Sequence, residues 1–105
     1  MQPCDVANFN QVQTLWDAAI NAFGSVDQWI NNAGRASSRH PIHELPEDLT
    51  RSLITGNMLG TTLGSQVAVT GIRDQGSGAF STVVVGSFDG NRRVPNMGVY
   101  RYTKA

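Results

Sequence analysis

The stretch Ala79-Phe80-Ser81-Thr82-Val83-Val84-Val85 is the most β-branched part of this chain of 105 residues. β-Branched and aromatic residues favour strands, and an unbroken apolar run such as Val83–Val85 is typical of a strand buried on both faces of a parallel sheet. Gly76-Ser77-Gly78 comes directly before it. A glycine loop that holds phosphate follows a strand and opens a helix, whereas this one follows a predicted helix and leads into a strand. We therefore predict a buried strand here and no phosphate loop.

A second strand is predicted at Val26-Asp27-Gln28-Trp29-Ile30, and it ends where the small and amide residues Asn31-Asn32-Ala33-Gly34 begin. The segment before it predicts a helix, because its apolar residues recur with the helical period. Asn8 can cap the start of that helix, with Gln11 three residues later, and Gly24 suits the left-handed residue that ends it. The apolar positions of this helix are Phe9, Val12, Leu15, Trp16, Ala19, Ile20 and Phe23.

The segment between the two strands begins as a polar loop over residues 35 to 45 and continues as a long helical pattern that starts at Pro46. Gly56, Gly60 and Gly64 lie on one line of this pattern, at a spacing of four. An interior glycine costs about 1 kcal/mol relative to alanine, so three in register need a structural reason. We expect either the close approach of another backbone or a kink near Gly56 that divides the segment into two helices.

A final helix is predicted to begin between Pro95 and Gly98, after a turn at Asp89-Gly90, and to carry Tyr100 and Lys104. The order of elements is then helix, strand, helices, strand, helix. Such alternation predicts a parallel α/β sheet in one domain.

Composition excludes several classes of protein. Acidic and basic residues balance at eight each, and Arg92-Arg93 is the only adjacent basic pair, so neither nucleic acid nor an anionic membrane is the expected partner. The single cysteine, Cys4, cannot form an internal disulfide, and no apolar run is long enough to span a bilayer. We expect a cytoplasmic protein. His40 and His43 could suggest a metal pair, but no further ligand cluster accompanies them, and solvated loop histidines are the favoured interpretation.

Tyr100 and Lys104 carry the strongest chemical signal. Residues four apart share a helix face, so the ammonium of Lys104, the only lysine, can lie beside the phenol of Tyr100. A neighbouring cation favours a phenolate, which makes such a phenol a proton donor and acceptor for an alcohol or ketone. Ser87, thirteen residues before Tyr100, can hold the substrate oxygen. The structural alternative is a packed tyrosine and a solvated lysine.

Five features occur in one consistent order: Asp5-Val6 before a helix, Asn31-Asn32-Ala33-Gly34 at a strand end, Asn57 in a helix, Ser87 after a strand, and Tyr100-x-x-x-Lys104. Together they resemble the middle of a short-chain dehydrogenase/reductase domain, over essentially all 105 residues. Trp29–Gly34 and Val94–Tyr100 are also similar to the chlorophyll b reductase subgroup. The resemblance implies part of a Rossmann-like, doubly wound, three-layer parallel sheet.

The resemblance also implies residue roles and a nicotinamide cofactor, NAD or NADP. By resemblance Tyr100 is the acid/base, Ser87 orients the substrate, Lys104 assists the tyrosine and binds the nicotinamide ribose, and Asn57 holds a relay water. Asp5 and Val6 contact the adenine, and Asn32, Ala33 and Gly34 line the cofactor. The implied partner is a small alcohol or carbonyl compound; substrate, reaction direction and the choice between NAD and NADP stay open. Tyr102, two residues from Lys104, is the weaker candidate for the catalytic phenol.

The family's glycine-rich turn, which receives the pyrophosphate, is not among these residues, nor are its first two strands or its C-terminal part. We therefore expect residues 1–105 to be a central fragment of the cofactor-binding domain, with weak cofactor binding and little activity alone. The alternatives are a non-catalytic interaction module, which self-associates through its glycine-lined helix or an open strand edge, or one half of a split enzyme.

Overall fold

Helix α1 (Phe9–Phe23) has the capping groups that the sequence predicts. Asn8 Oδ1 accepts a hydrogen bond from Gln11 N at 3.1 Å, and Gln11 Oε1 in turn accepts one from Asp5 N at 2.7 Å. Gly24 ends the helix with φ 82° and donates its N–H to Ile20 O at 2.8 Å. The two ends of α1 are therefore fixed by local residues, because each cap satisfies backbone groups that a helix leaves unpaired.

The computed structural model describes residues 1–36, 38–76, 81–87, 90 and 95–104, and over 81–84 it describes the backbone. Several sequence predictions lie outside these residues. They are the turn at Asp89, the residues Ser77 and Gly78, the start of the predicted strand at Ala79 and Phe80, the pair Arg92-Arg93, and Val94.

Strands β1 (Gln28–Asn31) and β2 (Ser81–Val84) pair in parallel, with Gln28 opposite Ser81 and Asn31 opposite Val84. The predicted end of β1 at the asparagines is confirmed, and so is the parallel direction. Parallel strands need a crossover connection, and the helices between β1 and β2 supply it. The described sheet has two strands, so it shows an α/β arrangement and leaves the larger doubly wound sheet as a proposal.

The crossover is one continuous helical segment made of α2 (Glu47–Ile54), a π-helical segment (Thr55–Leu59) and α3 (Gly60–Gln75). The π-helical segment lies where the sequence predicts a kink, around Gly56. A π-helical turn inside an α-helix is frequently found at a functional site.

Two of the aligned glycines are buried, and side chains of this chain fill the space beside them. A Cβ on Gly60 would lie 2.6 Å from Val6 Cγ2, and one on Gly64 would overlap the Asn31 side chain. The close approach expected at these glycines is therefore real but is made chiefly by side chains. Since both positions are filled from within, they offer no surface to a second chain.

The main core lies between α1 and α3 and contains Val12, Trp16, Val67, Ala68 and Ile72. The rings of Trp16 and Trp29 lie 5.8 Å apart at 42°, which brings β1 onto this core. Gly71 gives room for the Trp16 indole, which a Cβ there would overlap.

Helix α4 (Gly98–Lys104) packs against α2 and the π-helical segment, away from α1. The loop after β1 contains a 3₁₀ turn (Ile42–Glu44) and is joined to the segment before α4 by a bond from His40 N to Asn96 O at 2.9 Å. Within the described ranges, no helix combines the length and apolar character needed to span a membrane.

Candidate active site

Asn57 lies in the π-helical segment and is the centre of the site. Its side chain is 3% exposed, and its Oδ1 accepts a hydrogen bond from Arg35 N at 2.6 Å. Its Nδ2 donates to Arg35 O at 2.8 Å and to Thr103 Oγ1 at 3.0 Å. A buried amide costs free energy unless it is hydrogen-bonded, and here the oxygen and both N–H groups of Asn57 have partners. Asn57 therefore ties the loop after β1 to α4.

Lys104 reaches the same point from the end of α4. Its Nζ donates to Val85 O, just beyond β2, at 3.2 Å. A Cβ on Gly34 would lie 3.0 Å from Lys104 Nζ and 3.2 Å from Asn57 Oδ1, so any other residue there would crowd both side chains. Three residues that the sequence predicts for the site, Gly34, Asn57 and Lys104, thus meet in space.

Tyr100 lies one helical turn before Lys104 on α4 and is half-buried. Its carbonyl oxygen accepts a hydrogen bond from Thr103 Oγ1 at 2.7 Å. Ser87 follows β2 and is half-buried, and its carbonyl oxygen accepts one from Gly90 N at 3.0 Å. The catalytic roles predicted for the Tyr100 phenol and the Ser87 hydroxyl stay predictions.

The residues predicted to contact the cofactor lie on two neighbouring segments. Asp5 is exposed, and its Oδ1 accepts a hydrogen bond from Ala7 N at 3.0 Å. Val6 packs against Gly60, at the start of α3, and Gly34 lies against Asn57, three residues earlier on the same continuous helix. Asn32 and Ala33 are exposed at the carboxyl end of β1. The two predicted cofactor segments therefore border one helical turn.

A cleft of about 430 Å³ lies beside this junction. Its lining combines the buried amide of Asn57 and the half-buried Lys104 with hydroxyl and apolar side chains. The lining residues are Asn57, Met58, Thr61, Thr62, Val85, Gly86, Thr103 and Lys104.

Three groups at the junction are not predicted from the sequence. They are the Arg35 backbone, the Val85 carbonyl and the Thr103 hydroxyl. Main-chain groups carry no residue-type signal, so the first two could not be found from the sequence. The only indication of Thr103 in the sequence is its position directly before Lys104. Asn31 also differs from its neighbour Asn32, because its side chain bonds inward to Trp29 Nε1 at 2.9 Å and Ser65 Oγ at 3.1 Å.

Comparison with known proteins identifies a family for this arrangement. A model of the short chain dehydrogenase family matches residues 1–105. The chain is 31% identical over 101 residues to probable chlorophyll(ide) b reductase NYC1 of Arabidopsis thaliana, covering 96% of this chain and 20% of that protein. It is 32% identical over 102 residues to chlorophyll(ide) b reductase NOL of rice, covering 96% of this chain and 30% of that protein. The similarity to chlorophyll b reductases expected from the sequence is confirmed.

Solved structures with the same fold contain nicotinamide cofactors. A short-chain dehydrogenase/reductase of Burkholderia phymatum in complex with NAD has a TM-score of 0.87 and 33% identity, over 96% of this chain and 35% of that one. NAD⁺-bound xylitol dehydrogenase has a TM-score of 0.87 and 27% identity, and the match covers 96% of this chain and 38% of that one. ElxO with NADP bound has a TM-score of 0.85 and 26% identity, and the match covers 95% of this chain and 40% of that one. The chain thus spans a fifth to two fifths of the length of the proteins it matches.

Proposed function

This chain belongs to the short-chain dehydrogenase/reductase family, and from that premise we propose that it supplies the central catalytic part of an NAD(P)-dependent oxidoreductase acting on an alcohol or a ketone. The observation that carries the proposal is the meeting of Gly34, Asn57 and Lys104 at one point, with Tyr100 one turn away on α4. Gly34, Asn57 and Lys104 lie 23 to 70 positions apart in the sequence and have no local reason to converge there.

In the proposed reaction Tyr100 moves the proton. Its phenolic oxygen takes the proton from the alcohol as the carbon is oxidised, and returns it to the carbonyl oxygen in reduction. The bound nicotinamide supplies the hydride chemistry. Lys104 lies one turn later on the same helix face and would hold the nicotinamide ribose beside the phenol. Ser87 holds the substrate oxygen through its hydroxyl, and Asn57 keeps the helix end in register with the loop after β1 while a water bound nearby relays the proton.

The residues present fit a nicotinamide cofactor. Lys104 has three N–H donors, of which one is directed at Val85 O within the described part of the chain, and the others suit ribose hydroxyls. Asp5 has a second carboxylate oxygen beside the one bonded to Ala7 N, and it can accept from an adenine amino group or a hydroxyl. Val6, Asn32, Ala33 and Gly34 would border the same molecule.

We further propose that β1 and β2 belong to a larger doubly wound sheet with helices on both faces, and that residues 1–105 alone have little turnover. The first proposal is supported by Ile30, which is 57% exposed on β1 although parallel strands are normally covered on both faces. The second is supported by the absence of a glycine-rich phosphate turn from these 105 residues. The same exposed strand supports the alternative of a non-catalytic interaction module or half of a split enzyme.

The decisive experiment is a graft. Residues 1–105 replace the matching segment of the xylitol dehydrogenase, which provides its own remaining residues, and xylitol oxidation by NAD⁺ is measured. We expect turnover in the graft and little in the isolated chain. Tyr100→Phe in the graft should lower kcat by about 10²- to 10⁴-fold, the usual contribution of a general acid or base.

Tyr102→Phe is the matched control, because Tyr102 is 68% exposed on the same helix and should leave kcat unchanged. A folded graft that keeps its turnover after Tyr100→Phe would rule out the proposed function. A defined dimer of the isolated chain in sedimentation, without turnover in the graft, would favour the interaction module instead. The cytoplasmic location also stays a proposal, since both plant relatives are named as chloroplastic.

A further inference from the structure

Thr103 occupies an unusual place in the hydrogen bonding of the site. Its hydroxyl oxygen accepts a bond from Asn57 Nδ2 at 3.0 Å and its O–H donates to Tyr100 O at 2.7 Å. The bond to Tyr100 is local, three residues back on α4, whereas the bond to Asn57 connects positions 46 apart. A single hydroxyl group therefore connects the π-helical segment to the turn of α4 that carries Tyr100.

The balance of donors and acceptors makes this link specific to a hydroxyl. Threonine offers one O–H donor and oxygen lone pairs, and both kinds of group are used here. Asn57 has two N–H groups, one bonded to Arg35 O and the other to Thr103. Among the described residues no buried side-chain nitrogen or oxygen lacks a partner. Loss of the Thr103 hydroxyl would leave one N–H of a 3% exposed amide without its partner.

The neighbouring residue adds a second tether to the same turn. Lys104 Nζ donates to Val85 O at 3.2 Å, so the end of α4 is joined to the end of β2 as well as to the π-helical segment. The Lys104 bond holds the ammonium group in place, and the Thr103 bonds hold the backbone of the Tyr100 turn in place. α4 has seven residues, and so short a helix depends on such tertiary contacts for its position.

We propose that Thr103 is a positioning residue of this site: its hydroxyl aligns the Tyr100 turn with Asn57, and this alignment sets the rate of the chemical step. The inference rests on the proposed function for its kinetic consequence. The alignment itself is a property of the chain that is measured without turnover, so the two are tested separately.

The first measurement is amide hydrogen exchange at Arg35 in the 105-residue chain, followed by NMR. Arg35 N donates to Asn57 Oδ1, so its exchange reports how firmly the Asn57 side chain is held. Thr103→Val removes the hydroxyl and keeps the shape, and should accelerate exchange by about fivefold to tenfold, the change expected from one net hydrogen bond. Thr103→Ser restores the hydroxyl and should stay within about twofold of the wild-type exchange rate.

Thr14→Val is the matched control. Thr14 Oγ1 donates to Asn10 O at 2.8 Å on the exposed side of α1, so this variant loses a threonine-to-carbonyl bond far from the site. Exchange at Arg35 should not change in it. Equal exchange rates in wild type and Thr103→Val would overturn the proposal. Should Thr103→Val not fold, a cross-peak between the Asn57 side-chain amide protons and the Thr103 methyl group in wild type decides instead, and its absence overturns the proposal.

The second measurement is the kinetics of the xylitol dehydrogenase graft. Thr103→Val should lower kcat by about tenfold while KM for xylitol and for NAD⁺ stays within about twofold. The reason is that a misaligned Tyr100 slows the chemical step without changing how tightly xylitol and NAD⁺ bind. Thr103→Ser should restore kcat. Faster exchange at Arg35 with an unchanged kcat would overturn the positioning role, because the Thr103 hydroxyl would then stabilise the fold without affecting the chemical step. A graft without turnover in wild type would count against the proposed function, and the exchange measurement then decides the alignment alone.

Discussion

At one end of this molecule α1 packs on α3 through apolar side chains, whereas at the other end two hydrogen bonds join α4 to its neighbours, one from Asn57 to Thr103 and one from Lys104 to Val85 O. The first contact buries Trp16 to 5% exposure, and the second buries an amide to 3%. Both regions are well buried, yet the interactions that hold them differ in how strictly they depend on direction and in how well they tolerate substitution.

Apolar burial is non-directional and scales with the area removed from water, so the α1–α3 end depends on volume and shape. Hydrogen bonds are directional, and they specify which atom lies opposite which. Under the proposed function, the site must hold the Tyr100 turn, Lys104 and a loop backbone in fixed relation, and this requires the second kind of contact. Four experiments break or sharpen this contrast.

The largest effect is expected at the apolar end. Trp16→Ala removes an indole that packs against Gly71 and Trp29, and should lower the free energy of unfolding by about 3–5 kcal/mol. Urea denaturation followed by circular dichroism measures it. Phe23→Ala is the control, because Phe23 is 82% exposed on the same helix and should change stability by less than about 0.5 kcal/mol. Similar losses in the two variants would contradict the core described above.

A smaller loss is expected at the polar end. Asn57→Leu keeps an apolar body but leaves the Arg35 N–H and C=O without their partner, and should cost about 1–3 kcal/mol in urea denaturation. Asn21→Leu, on the exposed surface of α1, is the matched control and should have little effect. An Asn57→Leu chain as stable as wild type would contradict a stabilising role for these hydrogen bonds.

The cap of α1 gives a still smaller effect, since it is a polar contact within the apolar end. Asn8→Ala removes the acceptor for Gln11 N and should lower the free energy of unfolding by about 1 kcal/mol. Asn10→Ala, two residues on, removes an exposed amide side chain and serves as control. The thermal midpoint by circular dichroism measures both variants, and equal midpoints would contradict the capping role.

The smallest effect concerns Cys4, which lies beside the core at the apolar end. Burial raises the pKa of the Cys4 thiol above its ordinary value of 9.0, and the nearby Asp5 carboxylate adds to the rise. The folded thiol therefore keeps its proton to higher pH than the unfolded one, so this group lowers stability as pH rises through the unfolded value. Alkylation by iodoacetamide near pH 9 should be slower in the folded chain than in urea, and Asp5→Asn should accelerate it. Equal rates folded and unfolded would contradict this pKa shift.

Much of the fold could be predicted because its signals are local. The helical period of α1 with Asn8 and Gly24 at its ends, the end of β1 at Asn31 and the start of α4 at Gly98 are encoded within a few residues of where they occur. Burial is less local, because Phe9 and Phe23, two of the predicted apolar positions of α1, are exposed. One of the two explanations for the aligned glycines was a kink near Gly56, and the continuous crossover helix has its π-helical segment there. What these signals could not provide was the identity of the groups that fill the space beside Gly60 and Gly64.

The sequence by itself determined the helices, the strands and their order, because periodicity and caps act over short distances along the chain, and five motifs in consistent order resembled the family. Only the tertiary structure decided that Asn57 bonds to the Arg35 backbone and to Thr103, and that Lys104 reaches Val85 O. These partners are 19 to 46 residues apart, and two of them are main-chain groups that any residue type provides. Their selection depends on where the packed helices and strands place them in space.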